Sequence, residues 1–230
     1  MSFRSYLTEF IGTFFLVLTI GLSIKGNKTD EPFLLAPLAI GSSLMIMIYM
    51  GGYISGAHYN PAVSLAVLLR GKMAGRDFVP YAISQCAGAF IAVLTVYAIL
   101  GKTFAPADGV SAARTIFVEV LYTFALALVV LNTATAPQVQ DNSYFGLAIG
   151  FTVVVGAIAG GGISGGAFNP AVGTGPILAS NIPNGSTLAN VWLYWLGPCA
   201  GGALAAIVYH LQHAPVPDLV AEPLPNTGAV

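Results

Sequence analysis

Charge is scarce in this chain. Asp, Glu, Lys and Arg make up 7% of its 230 residues, against about a quarter in soluble domains. That is too little to cover the surface of a soluble domain of this size. The hydrophobic residues, 56% of the total, gather in runs close to the roughly 20 residues that cross a bilayer. Composition therefore implies an integral membrane protein. A net charge of −1 supplies no basic field of the kind that attracts nucleic acid, so no nucleic-acid partner is expected. Cysteine is also scarce. Cys86 and Cys199 both lie inside apolar runs, with neither metal-ligand spacing nor a disulfide framework, and they read as small buried thiols. The runs hold no Ser/His pair, no Asp pair and no ligand cluster. By the usual requirements of an active site, no catalytic residue, metal or cofactor is expected, and the chain does not read as an enzyme.

What is present is a duplicated turn. Residues 54–64 read ISGAHYNPAVS and residues 163–173 read ISGGAFNPAVG. Each contains Asn-Pro-Ala, as Asn60-Pro61-Ala62 and Asn169-Pro170-Ala171, with the Asn residues 109 positions apart. Around these turns the hydropathy pattern predicts spans over 6–24, 34–53, 78–100, 114–132, 144–163 and 188–211. Two short helices are expected from Asn60 to about Leu69 and from Asn169 to about Ser180, followed in the second case by a loop over 181–187. The first span carries Glu9 and lacks a small-residue cleavage site, so it reads as retained and not as a signal peptide. Residues 133–143 read as a polar loop. The tail from 213 to 230 contains Pro215, Pro217, Pro223 and Pro225 and reads as disordered.

The halves match beyond the turns. Glu9 and Glu119 are 110 apart, Gly41 and Gly150 each precede their Asn by 19, and Cys86-Ala87-Gly88 recurs as Cys199-Ala200-Gly201. The unit, 1–112 and again 113–212, is three spans plus one half-helix. Three is odd, so the second unit enters the membrane from the opposite side, giving an inverted repeat. The expected fold is all-α: six transmembrane helices and two re-entrant half-helices. Lys and Arg divide four against four between the two sides, so charge alone does not orient the chain. The cluster Arg70, Lys72 and Arg76 leans toward an inside N-terminus.

Non-helical backbone at membrane depth survives only where protein or water surrounds it. Both turns must therefore face an interior. Pro61 and Pro170 suit the first turn of a helix, and Asn60 and Asn169 suit its N-cap. Two half-helices that start near the midplane bring two positive dipole ends together. With Asn amides beside them, such a site opposes cations and hinders proton relay through water. Glu9 and Glu119 are ionisable groups inside apolar helices and so invite a proton-relay reading. Their symmetry favours structure: each carboxylate accepts N–H groups of the adjacent loop. The paired glycines read as close helix crossings. His58, His210 and His213 form no ligand set, and His58 is placed near a pore mouth.

On these residues the sequence resembles the aquaporin, or major intrinsic protein, family. The resemblance covers about 5–211 and rests on SGAHYNPAV at 55–63, SGGAFNPA at 164–171, the Glu9/Glu119 pair and WLGPCAGGALAA at 195–206. It implies one pore per protomer, a homotetramer surrounded by membrane lipid, and a cell-membrane protein with both termini cytoplasmic. It also implies a second constriction, the aromatic/arginine filter, whose four positions carry over to Ile40, Ala157, Gly166 and Val172. Val172 stands where the family nearly always has Arg, and no aromatic or His is among the four. Tyr194-Trp195 is similar to the water-channel subclass, whereas the apolar filter is not. The expected activity is passive passage of water and small uncharged solutes through an unusually wide filter. The alternatives are a facilitator for glycerol, urea, peroxide or gas, and an ion-coupled transporter.

Overall fold

A computed structural model describes residues 2–26, 34–106, 111–184 and 188–214. The tail beyond 214, expected to be disordered, lies outside the described residues. Among the described residues the fold is built from eight α-helices: α1 (Phe3–Lys25), α2 (Ala36–Ser55), α3 (Pro61–Leu69), α4 (Gly75–Leu100), α5 (Ala112–Val130), α6 (Phe145–Ser164), α7 (Pro170–Asn184) and α8 (Leu193–Gln212). No strand occurs among the described residues. Of the long helices, α1, α2, α4, α5 with its extension, and α6 are long and apolar enough to cross a membrane. α8 has a comparable 20 residues.

Chain direction follows from a few contacts. Tyr6 Oη donates to Asp77 at 3.0 Å, Arg70 Nη2 to Tyr209 Oη at 3.0 Å, and Asn132 Nδ2 to Gln212 Oε1 at 3.4 Å. The start of α1, the end of α3, the start of α4 and the ends of α5 and α8 therefore share one side, here called proximal. On the other, distal side, Ser180 Oγ donates to the Phe104 carbonyl at 2.9 Å.

The two halves interlock. α3 packs on α8 as well as α4, and α7 packs on α4 as well as α8. α2 and α6 meet across the centre at Gly41 and Gly150. A Cβ on either would stand 2.5 Å from the other's carbonyl oxygen, so the pair lets the two backbones touch, the role small residues play between membrane helices.

Three boundaries differ most from the sequence expectation. The sixth span, expected from 188, starts as α8 at Leu193, after turns over 188–192. α7 continues to Asn184, through part of the expected loop, and not to Ser180. Asn181 and Ile182 carry no helix breaker, and Pro183 falls in the last turn, where its missing N–H removes a single helix bond. The segment expected as a polar loop from 133 begins as one π turn, Leu131–Thr135, followed by a 3₁₀ turn, Pro137–Val139. Thr133 and Thr135 hydroxyls donate back to the Val129 and Leu131 carbonyls, satisfying groups that a helix end leaves open.

Candidate functional site

Each re-entrant loop begins at a glycine. Gly56 and Gly165 end α2 and α6 in the left-handed region, at φ 84° and 91°, a conformation that favours residues without Cβ. The loops then hold Ala57, Tyr59 and Phe168 at φ 51°, 49° and 47°. Such positions cost on the order of 1–3 kcal/mol each and persist where the surroundings over-determine them.

The buried carboxylates provide that constraint. Glu9 Oε1 accepts from Ser55 Oγ at 2.6 Å and the His58 N–H at 3.0 Å. Its Oε2 accepts from the Tyr59 N–H at 2.6 Å and Gln85 Nε2 at 2.8 Å. Glu119 does the same in the second half. Its Oε1 accepts from Ser164 Oγ at 2.8 Å and the Ala167 N–H at 3.1 Å, and its Oε2 from the Phe168 N–H at 2.5 Å. Tyr81 and Tyr194 hydroxyls close the two loops by donating to the Ser55 and Ser164 carbonyls, both at 2.7 Å. Both carboxylates are fully buried and every contact to them is from a donor, so they anchor backbone.

Asn60 and Asn169 use their amides in two directions. Oδ1 caps the half-helix, accepting from Ala62 N–H and Ala171 N–H at 2.9 Å each. Nδ2 crosses to the other loop: Asn60 donates to the Phe168 carbonyl and Asn169 to the Tyr59 carbonyl, both at 2.8 Å. An Asn amide has two N–H groups, so each retains one. Both Asn side chains line a central passage. Pro61 and Pro170 open α3 and α7, and Ala62 and Ala171 are fully buried behind them.

The passage has a volume of about 40 Å³ for the centres of water molecules. That is room enough for water. Distally it opens into a vestibule of about 480 Å³. Ile40, Ala157, Gly166 and Val172 all line that vestibule, and Ile40, Gly166 and Val172 also line the passage. None of the side chains bounding the vestibule is polar. The proximal cavities are different, with Thr133, Gln140 and Asn142 in one and His58, Lys72 and Thr135 in the other.

Sequence reasoning did not identify the apolar walls. Leu16 and Leu126, Ile20 and Val130, and Leu44 and Val153 line the passage as repeat-related pairs. The offsets that relate Glu9 to Glu119 and Asn60 to Asn169 lead from one member of each pair to the other, so the signal was available. Ser64 and Gln85 were also missed. Neither stands in a repeated position: their counterparts are Gly173 and Pro198.

Comparison with known proteins matches this geometry to one family. The family model described as major intrinsic protein matches residues 1–209. A probable aquaporin of TIP type from Antirrhinum majus is 33% identical over 94% of this chain and 91% of its own length. Glycerol uptake facilitator protein-like 6 from Lactiplantibacillus plantarum is 36% identical over 88% of this chain and 95% of its own length. In fold, the chain is similar to the aquaglyceroporin of Plasmodium falciparum, with a TM-score of 0.77, 24% identity, and coverage of 90% of this chain and 94% of that one. The chain is a multi-pass membrane protein that belongs to the major intrinsic protein family of channels.

Proposed function

We propose that the chain is a passive channel for water and small uncharged solutes, with Ile40, Ala157, Gly166 and Val172 as a wide, apolar distal filter. The observation that carries this reading is the passage itself. It is a file of water-sized room between apolar walls, with the half-helix starts of Asn60 and Asn169 at its centre. Each Asn offers a spare N–H to a passing oxygen, and the helix N-termini add positive potential. A neutral molecule with an acceptor oxygen exchanges part of its hydration for these donors. A cation meets only the same positive groups.

The empty position of charge at Val172 favours a second selectivity. A vestibule without polar side chains imposes little orientation and no charge barrier, which suits glycerol, urea, hydrogen peroxide or dissolved gas as well as water. Relatives named as aquaporins and as a glycerol uptake facilitator are compatible with either preference. The functional unit is a homotetramer with a pore in each protomer, seated in the cell membrane with the proximal side cytoplasmic. Stopped-flow shrinkage of proteoliposomes tests the activity: osmotic water flux several-fold above that of empty vesicles is expected, and flux equal to theirs refutes it.

A further inference from the structure

The inverted repeat makes the distal ring comparable, residue by residue, with a proximal one. The repeat offset carries Ile40, Ala157, Gly166 and Val172 onto Ile149, Ile48, Ala57 and Val63. All four of these line the passage. Two positions are equivalent in size: Ile faces Ile and Val faces Val. At the other two the proximal ring is larger, with Ile48 in place of Ala157 and Ala57 in place of Gly166. The vestibules reflect this. The distal one reaches inward to Val153, one turn past Ala157. Leu44, the counterpart of Val153, borders neither proximal cavity.

The proximal ring also carries the polar side chain that the distal ring lacks. His58 lines both the passage and a proximal cavity, and its counterpart is Ala167. Its ring is held by a chain of hydrogen bonds with no equivalent in the second half. Gln85 Nε2 donates to Glu9 Oε2 at 2.8 Å and to Ser64 Oγ at 3.1 Å. Ser64 Oγ lies 3.0 Å from His58 Nδ1. A hydroxyl that accepts from Gln85 has its one proton free to donate, and Nδ1 is the acceptor within its reach. That assigns the imidazole proton to Nε2, which meets no partner among the described residues.

Building on the channel reading above, we infer that the constriction which discriminates among solutes is the proximal ring around Ile48. His58 is its hydrogen-bond donor, and Ser64 and Gln85 are positioning residues that hold the Nε2–H tautomer. The apolar distal ring admits solutes, and the proximal ring sorts them by width and by their ability to accept a hydrogen bond.

The experiment compares water, urea and glycerol permeability in proteoliposomes for the unaltered protein, Ile48→Ala, the milder Ile48→Val, Ile40→Ala and His58→Ala. Ile48→Ala is expected to raise glycerol permeability relative to water by about fivefold, because pore width governs such ratios, with Ile48→Val intermediate. His58→Ala is expected to lower water permeability by about fivefold, the effect of one lost hydrogen bond. An unchanged ratio in both Ile48 variants, or a larger change in Ile40→Ala, overturns the assignment while leaving the channel reading intact. An unaltered protein no faster than empty vesicles overturns both. A parallel measurement needs no pore variant. Histidine ¹⁵N spectra in lipid, from protein with the exposed His210 and His213 replaced by Gln, are expected to show Nε2 protonated and Nδ1 bare at pH 7. A protonated Nδ1 contradicts the relay. With Ser64→Ala the two tautomers should mix.

Discussion

Asn60 Nδ2 donates to the carbonyl of Phe168 at 2.8 Å, 108 residues away, and Asn169 mirrors it toward Tyr59 at the same distance. The two half-helix starts are thereby locked to each other, and each amide keeps one N–H for the passage. Replacing Asn60 by Asp keeps the capping oxygen, removes that donor and adds a negative charge. A unit charge about 4 Å away in a medium of effective dielectric near 20 is worth on the order of 4 kcal/mol. Asn60→Asp should therefore raise cation conductance at least about tenfold and reduce water flux. Current recordings across planar bilayers check this, and unchanged conductance would mean that Asn60 does not face the path.

The two buried carboxylates differ by one donor. Glu9 has two donors on each oxygen, whereas Glu119 has two on Oε1 and one on Oε2. A Gln at either position turns its NH₂ toward one pair of former donors. A hydroxyl or a side-chain amide can turn to accept from it, so the loss falls on one backbone N–H of the loop, His58 or Tyr59 at 9 and Ala167 or Phe168 at 119. A stranded N–H costs about 1–3 kcal/mol, so Glu9→Gln and Glu119→Gln should each destabilise the fold by about that amount. Thermal unfolding in detergent measures both, and no loss in either variant would contradict the hydrogen-bond assignment.

Gly41 and Gly150 touch through backbone. Since a Cβ on either meets a carbonyl oxygen at 2.5 Å, and backbone cannot rotate away as a side chain can, Gly41→Ala and Gly150→Ala should each cost about 1–3 kcal/mol, as overpacking does elsewhere. Gly161, with nothing within 4 Å of its Cβ position, should accept Ala with little loss. Unfolding temperatures of the three variants in one detergent provide the comparison.

Much of this architecture was legible in the sequence because the repeat is written in residues that have few alternatives. Asn-Pro at a helix start, glycine at a crossing and a carboxylate inside an apolar run each specify a local structure, and their recurrence at a fixed offset exposes the inverted halves. Ser64 and Gln85 escaped notice for the opposite reason, and His58, placed near a pore mouth, was not linked to them. Their relay belongs to one half only, spans three separate elements, and is built from residues common in any helix. The π turn at Leu131–Thr135 and the extra length of α7 lie at helix ends, and boundaries are where sequence patterns are least legible.

At Val172 the distal ring can be narrowed. Arg at this position would bring a long cationic side chain into the distal ring beside Ile40 and Gly166. Glycerol and urea permeability should fall at least about tenfold while water stays within about threefold, since pore diameter and lining donors set such selectivity. Stopped-flow light scattering on reconstituted Val172→Arg gives both numbers. Unchanged urea and glycerol flux would place position 172 away from the path.

The most direct test is a solute panel on the unaltered protein in proteoliposomes, run without any ion gradient and with water, urea and glycerol measured on the same vesicles. Water flux several-fold above that of empty vesicles is expected, with urea and glycerol rates proportional to their gradients and not saturating. Permeabilities equal to those of empty vesicles, or uptake that saturates and requires an ion gradient, would contradict a passive channel.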